Sequence, residues 1–70
     1  MTDKKSLEIG KRIKQYRLKA GLSQAGLAEM AGIKSNTIAR LERGEHRASN
    51  PTIEKLAKVL NVTATDILQF

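Results

Sequence analysis

The segment from Leu22 to Gly44 constrains the fold of this chain more than any other. Ser23 can cap a helix, because its hydroxyl can accept a hydrogen bond from a backbone N–H of the first turn. Gly32 suits a tight turn that needs a left-handed backbone. Ile38 and Leu41 then share one face of a second helix at a spacing of three. The segment therefore predicts two short helices joined by a tight turn, over about residues 24–31 and 35–43, the second capped by Gly44.

The rest of the chain predicts three more helices and no strand, so the fold class is all-α. A first helix over about 6–19 follows a polar tail at 1–5, and one domain spans residues 6–70. A fourth helix over about 51–60 opens with Asn50 as its cap, and Thr63 and Asp66 form a capping box for a final short helix. The expected core contains Ile9, Ile13, Tyr16, Ala20, Leu27, Ala28, Met30, Ile33, Ile38, Leu41, Ile53, Leu56, Ala57 and Leu60.

Composition narrows the class of protein. The chain has 70 residues, no cysteine and a net charge of +6, which suits a polyanionic partner. No apolar run approaches the roughly 20 residues of a membrane span, and the polar start lacks a signal-peptide core, so we expect a cytoplasmic protein. His46 is the only histidine, and no nucleophile has a partnered base, so we expect no metal, no cofactor and no enzymatic activity.

The spacing of these residues resembles the Cro and phage-repressor family of helix-turn-helix regulators, from about residue 9 to residue 68. The resemblance rests on Arg17 and on the runs Ile9–Ile13, Gly21–Gln24, Leu27–Ala28, Gly32–Ile33, Thr37–Ile38, Leu41–Gly44, Leu56–Ala57 and Leu60–Val62. It implies a lambda-repressor-like bundle of about five helices that binds double-stranded operator DNA as a homodimer.

In such a protein the second helix of the segment lies in the major groove, with its N-terminal half toward the bases. Asparagine pairs with adenine through two hydrogen bonds and arginine with guanine, while a threonine methyl group contacts thymine. The candidate base-reading residues are therefore Ser35, Asn36, Thr37 and Arg40.

Phosphate contacts are expected around this helix, and they give affinity and register without sequence information. The resemblance places Gln24 at the backbone, where the start of a helix also favours anions. The candidate phosphate-binding residues are Gln24, Lys34, Arg43, His46, Arg47 and Arg17. For Lys11, Arg12 and Lys14, a solvated helix face is at least as good an interpretation as DNA contact.

The resemblance also implies a partly buried salt bridge between Arg17 and Glu42. Two positions depart from the family pattern. Gly26 stands where the family usually has a glutamate, and this removes the capping-box partner of Ser23. Lys34 stands where the family usually has a capping serine or threonine, so Ser35 is expected to cap the second helix one residue later.

A dimer is expected because a single recognition helix reads too few base pairs to stand out in a genome. The candidate dimer interface is formed by Val62, Ile67, Leu68 and Phe70, although Leu68 and Phe70 folding back on the core is an equal alternative. The leading hypothesis is a dimeric transcriptional regulator with no small-molecule ligand evident. The alternatives are an antitoxin-like protein-interaction module and the DNA-binding domain of a larger regulator.

Overall fold

The structure is a computed structural model, and it describes residues 4–68. These residues contain five helices. They are α1 (Lys4–Lys19), α2 (Gln24–Ala31), α3 (Ser35–Glu42), α4 (Asn50–Leu60) and α5 (Ala64–Leu68). No strand occurs in this range. The expected all-α bundle of five helices is confirmed.

The turns form where the sequence supplies residues that tolerate a left-handed backbone. Gly32 ends α2 with φ 71°, Gly44 follows α3 with φ 74°, and Asn61 ends α4 with φ 59°. Ser23 caps α2 as predicted, since its Oγ accepts a hydrogen bond from the Gly26 N–H at 2.9 Å. The capping predicted at the helix-turn-helix segment is therefore confirmed at both ends of α2.

One predicted helix start and two predicted helix caps are wrong. α1 begins at Lys4, so Lys4 and Lys5 belong to the helix and not to a polar tail. α4 is capped by Ser49, whose Oγ accepts from the Thr52 N–H at 3.4 Å, and Asn50 is already helical. Ser35 is also helical: the cap position of α3 is Lys34, whose side chain makes no capping hydrogen bond.

The core lies where all five helices meet, and its largest side chains have less than 2% of their surface exposed. These are Ile13, Leu27, Ile38, Leu41, Ile53, Leu56 and Ile67. Two predicted core residues are on the surface instead. Met30 is 62% exposed because it lies two residues after the buried Ala28, about 200° further around α2. Ala20 is exposed because it follows the end of α1.

Gly10 sets how closely α1 crosses α3. A Cβ atom at this position would meet the backbone carbonyl oxygen of Leu41 and lie 3.0 Å from that of Glu42. Only glycine allows this approach, which brings the middle of α1 beside the end of α3. The crossing is the local reason that Arg17 reaches Glu42.

α5 is held by the predicted capping box. The Thr63 N–H donates to Asp66 Oδ2 at 2.9 Å, and the Asp66 N–H donates to Thr63 Oγ1 at 3.1 Å. The hydrogen bond from the Thr63 backbone, followed by that from its side chain, lowers the pKa of the Asp66 carboxyl. Arg12 Nη1 donates to the Asp66 carbonyl at 3.1 Å, which ties α5 to α1.

The predicted dimer surface needs one correction. Ile67 is fully buried in the core of the single chain and offers no surface to a second copy. Val62 and Leu68 are half-buried and pack against the core, so part of each remains accessible. Phe70 lies outside the described residues.

None of the helices within residues 4–68 is long and apolar enough to cross a membrane.

Candidate nucleic-acid interface

The two faces of α3 differ sharply in exposure. Ile38 and Leu41 are 0% and 1% exposed, whereas Ser35, Asn36 and Arg40 are exposed to solvent. Asn36 and Arg40 lie four residues apart, so they are neighbours on one helix face. Thr37 is half-buried. The structure thus presents the predicted base-reading residues on one short helix, and their contact with bases stays a prediction.

A tight turn fixes α3 relative to α2. The Gly32 N–H donates to Ala28 and Glu29 carbonyls, and the Ile33 N–H donates to the Ala28 carbonyl at 2.9 Å. Ile33 is half-buried and packs against the core beneath the turn. The hydrogen bonds of the turn and the packing of Ile33 therefore fix the start of α3 relative to the end of α2.

A buried ion pair holds the other end of α3. Arg17 Nε donates to Glu42 Oε2 at 2.7 Å and Arg17 Nη2 donates to Glu42 Oε1 at 3.1 Å. The two side chains are 9% and 3% exposed. The hydrogen bond with Glu42 raises the pKa of Arg17, against the opposing effect of burial. The predicted salt bridge is confirmed.

This pair extends to the start of α2. Arg17 Nη1 donates to the Leu22 carbonyl at 2.8 Å, and Gln24 Nε2 donates to Glu42 Oε1 at 3.1 Å. Arg17 thus uses three of its five guanidinium N–H groups inside the protein, and its phosphate contact stays a prediction. Gln24 is half-buried and oriented by Glu42, and its phosphate contact stays a prediction.

A second, exposed ion pair follows α3. Arg43 Nε lies 2.9 Å from Glu45 Oε2, and Arg43 Nη2 donates to Glu45 Oε1 at 3.3 Å. The side chains are 57% and 47% exposed. The residue types alone do not predict this pairing, although the glycine between the two residues is a signal for a tight turn. The left-handed Gly44 folds the chain back so that Glu45 lies beside Arg43.

The remaining predicted phosphate-binding residues lie on the surface at both ends of α3. Lys34 precedes the helix, and His46 and Arg47 lie in the loop before α4. All three are exposed. Lys34, Arg40, Arg43 and Arg47 place more positive than negative charge on and around α3, which suits a polyanion.

Comparison with known proteins agrees with this geometry. The family model described as Helix-turn-helix matches residues 13–67, most of the chain. The chain belongs to this family. The resemblance to Cro and phage repressors that the sequence indicated is confirmed.

Individual relatives cover the same region. Control protein C.BamHI of Bacillus amyloliquefaciens is 37% identical over 71 residues, which cover 100% of this chain and 88% of that protein. SinR of Bacillus subtilis, an HTH-type transcriptional regulator, is 41% identical over 63 residues, 86% of this chain and 55% of SinR.

Solved structures have the same fold. The restriction-modification controller protein C.AhdI from Aeromonas hydrophila matches with a TM-score of 0.86 at 31% identity, covering 89% of this chain and 94% of that one. A structure of SinR in complex with DNA matches with a TM-score of 0.85 at 39% identity, covering 87% and 98%.

Proposed function

We propose that this chain regulates transcription by binding operator DNA as a homodimer, with α3 in the major groove. The observation that carries the proposal is the two-faced α3, whose Ile38 and Leu41 are buried while Ser35, Asn36 and Arg40 face solvent. Matches to SinR in complex with DNA and to a restriction-modification controller protein support it. Such a regulator acts in the cytoplasm, where the DNA is.

Base reading is assigned to the exposed face of α3. The amide of Asn36 suits the paired donor and acceptor of adenine, and the guanidinium of Arg40 suits the two acceptors of guanine. These residues lie about one helical turn apart, so they reach different base pairs. Ser35 and Thr37 complete the surface with hydroxyl groups and one methyl group.

Phosphate binding is assigned to the residues around α3. Lys34, His46 and Arg47 are exposed, and Arg43 is exposed but paired with Glu45. Gln24 retains one amide N–H and its carbonyl oxygen for the backbone, since a single Nε2–H bond fixes it on Glu42. Arg17 and Glu42 instead hold α3 at a fixed angle to α1 and α2.

We propose a dimer because of the affinity that sequence-specific DNA binding requires. Specific binding by a small domain requires more base contacts than one short helix makes, and two copies related by a two-fold axis double them. Their recognition helices would enter half-sites about 34 Å apart. Val62 and Leu68 are the candidate contacts that remain accessible in the described residues.

The test is selection of bound duplexes from a random pool at ~150 mM salt, where loose charge attraction is screened. We expect enrichment of a two-fold symmetric site with half-sites about one helical turn apart. The matched control is the N36A/R40A double variant, which should keep its thermal stability and fail to enrich that site. No enriched site would overturn the proposal and favour an antitoxin-like interaction module, and a single half-site would favour a domain of a larger regulator.

A further inference from the structure

Arg43 is a predicted phosphate-binding arginine that is exposed to solvent and already paired with a carboxylate. Its guanidinium lies 2.9 and 3.3 Å from the two carboxylate oxygens of Glu45. Both charges point to solvent, at 57% and 47% side-chain exposure. A phosphate approaching this end of α3 therefore meets a cation that a carboxylate has partly neutralised.

The backbone builds this arrangement. The Gly44 N–H donates to the Leu41 carbonyl at 3.0 Å, and the Glu45 N–H donates to the Arg40 carbonyl at 3.0 Å. Both bonds close the last turn of α3, and the left-handed Gly44 makes them possible. The backbone of Glu45 is thus fixed to the end of α3. The turn places its carboxylate within hydrogen-bond distance of the Arg43 guanidinium.

Competition between this carboxylate and phosphate has a defined cost. A cation that binds a phosphate releases a counterion from DNA, which makes affinity fall steeply with salt. When Arg43 leaves Glu45 for a phosphate, the carboxylate loses its partner and stands near the negatively charged backbone. Part of the electrostatic gain is then lost, whatever the base sequence.

We propose that Glu45 is an internal competitor for the DNA backbone, which holds Arg43 until a phosphate replaces it and so weakens binding to every duplex alike. The inference rests on the proposed DNA binding and adds to it a residue that sets affinity without reading bases. Glu45 acts through Arg43, so it is a positioning residue.

A double-mutant cycle with E45Q, R43Q and the R43Q/E45Q variant tests the proposal. The measured quantity is the affinity of each variant for one DNA duplex of arbitrary sequence. Because the contact is with phosphate, the measurement needs no operator. We expect E45Q to tighten binding by up to about fivefold per chain, the upper range for an exposed pair. The salt dependence should steepen by nearly one unit in the slope of log affinity against log salt. In the R43Q background, removal of Glu45 should change affinity and slope much less.

The control for overall charge is E54Q, which removes an exposed carboxylate on α4, outside the candidate interface. Equal effects of E45Q and E54Q would overturn the proposal, as would an E45Q effect that is unchanged when Arg43 is absent. Thermal unfolding of each variant checks that the fold is intact. Failure to enrich an operator in the selection would overturn base-specific regulation while leaving this cycle readable, so the two failures are distinguishable.

Discussion

Two arginine–glutamate pairs lie at the same end of α3. They consist of the same residue types but differ in burial and in the sequence separation of the two partners. Arg17 and Glu42 are 9% and 3% exposed and join three segments of the chain. Arg43 and Glu45 are 57% and 47% exposed and lie two residues apart. The Nε–carboxylate distances, 2.7 and 2.9 Å, are nearly equal.

Burial therefore decides what each pair does. A buried charge that loses its partner keeps its full desolvation cost, so the inner pair is needed to hold the helices together. Water solvates either member of the outer pair when it separates, so that pair stabilises the fold little and can exchange its carboxylate for another anion. Adjacent residues, Glu42 and Arg43, thus belong to the scaffold and to the surface respectively.

The largest expected effect comes from breaking the inner pair. Glu42→Ala should lower the free energy of unfolding by ~3–5 kcal/mol, because it leaves the Arg17 guanidinium buried without its partner. Urea denaturation at neutral pH measures this loss. The matched substitution Glu45→Ala should change stability by less than about 0.5 kcal/mol. Equal losses in the two variants would contradict the distinction between the pairs.

A methyl group at the crossing of α1 and α3 should strain the packing of these two helices. Gly10→Ala places a Cβ against the Leu41 carbonyl, and backbone cannot move aside as a side chain can. We expect a loss of ~1–3 kcal/mol, typical of overpacking, measured by urea denaturation.

Gly26→Ala is the control for that substitution. Its Cβ would lie 3.1 Å from Ser23 Oγ, which needs to move by only a few tenths of an ångström while it caps α2, and alanine favours the helix by about 1 kcal/mol over glycine. A Gly10→Ala protein as stable as this control would show that α1 and α3 are not closely apposed.

Sequence predicted most of this architecture because the strongest local signals coincide with the helix ends. Gly32 and Gly44 adopt the left-handed backbone expected of them at helix ends. The Thr63–Asp66 box forms as expected. Errors arose where two residues compete for one role, as at Ser49 and Asn50, or where a short helix has more apolar residues than its buried face accommodates, as at Met30.

The site was predictable to a smaller extent. Exposure of Asn36 and Arg40 follows from the spacing of Ile38 and Leu41. The commitment of Arg17 to internal partners does not, since it depends on how α1 crosses α3 and on the Leu22 carbonyl being within reach. Pairing of Arg43 with Glu45 depends equally on the turn geometry at Gly44.

Base discrimination should fall on substitution of a residue that belongs to neither ion pair. Arg40→Ala removes an exposed side chain, so the fold should remain intact while discrimination at one base position falls by ~1–3 kcal/mol. Competition binding with single-base variants of the selected site measures the loss. Arg43→Gln should instead weaken binding to all variants alike. An unchanged preferred sequence in Arg40→Ala would show that another residue reads that base pair.

The smallest effect concerns a third carboxylate, which is paired with backbone N–H and hydroxyl groups and not with a cation. Because the Thr63 hydrogen bonds lower the pKa of Asp66 in the folded protein, its stabilising contribution is present above the ordinary aspartate pKa of about 3.9. That contribution disappears as pH falls through the lower folded value. Asp66→Asn should therefore unfold at a slightly lower temperature than the native chain at pH 7, with the difference narrowing below about pH 4.

Thermal unfolding between pH 7 and pH 2 measures that narrowing. Arg17 provides the contrast, since its pKa is raised from an already high value and its charge persists throughout this range. A constant difference between Asp66→Asn and the native chain down to pH 2 would mean that the carboxylate charge does not stabilise α5, and that the hydrogen-bonding shape of the side chain alone holds the cap.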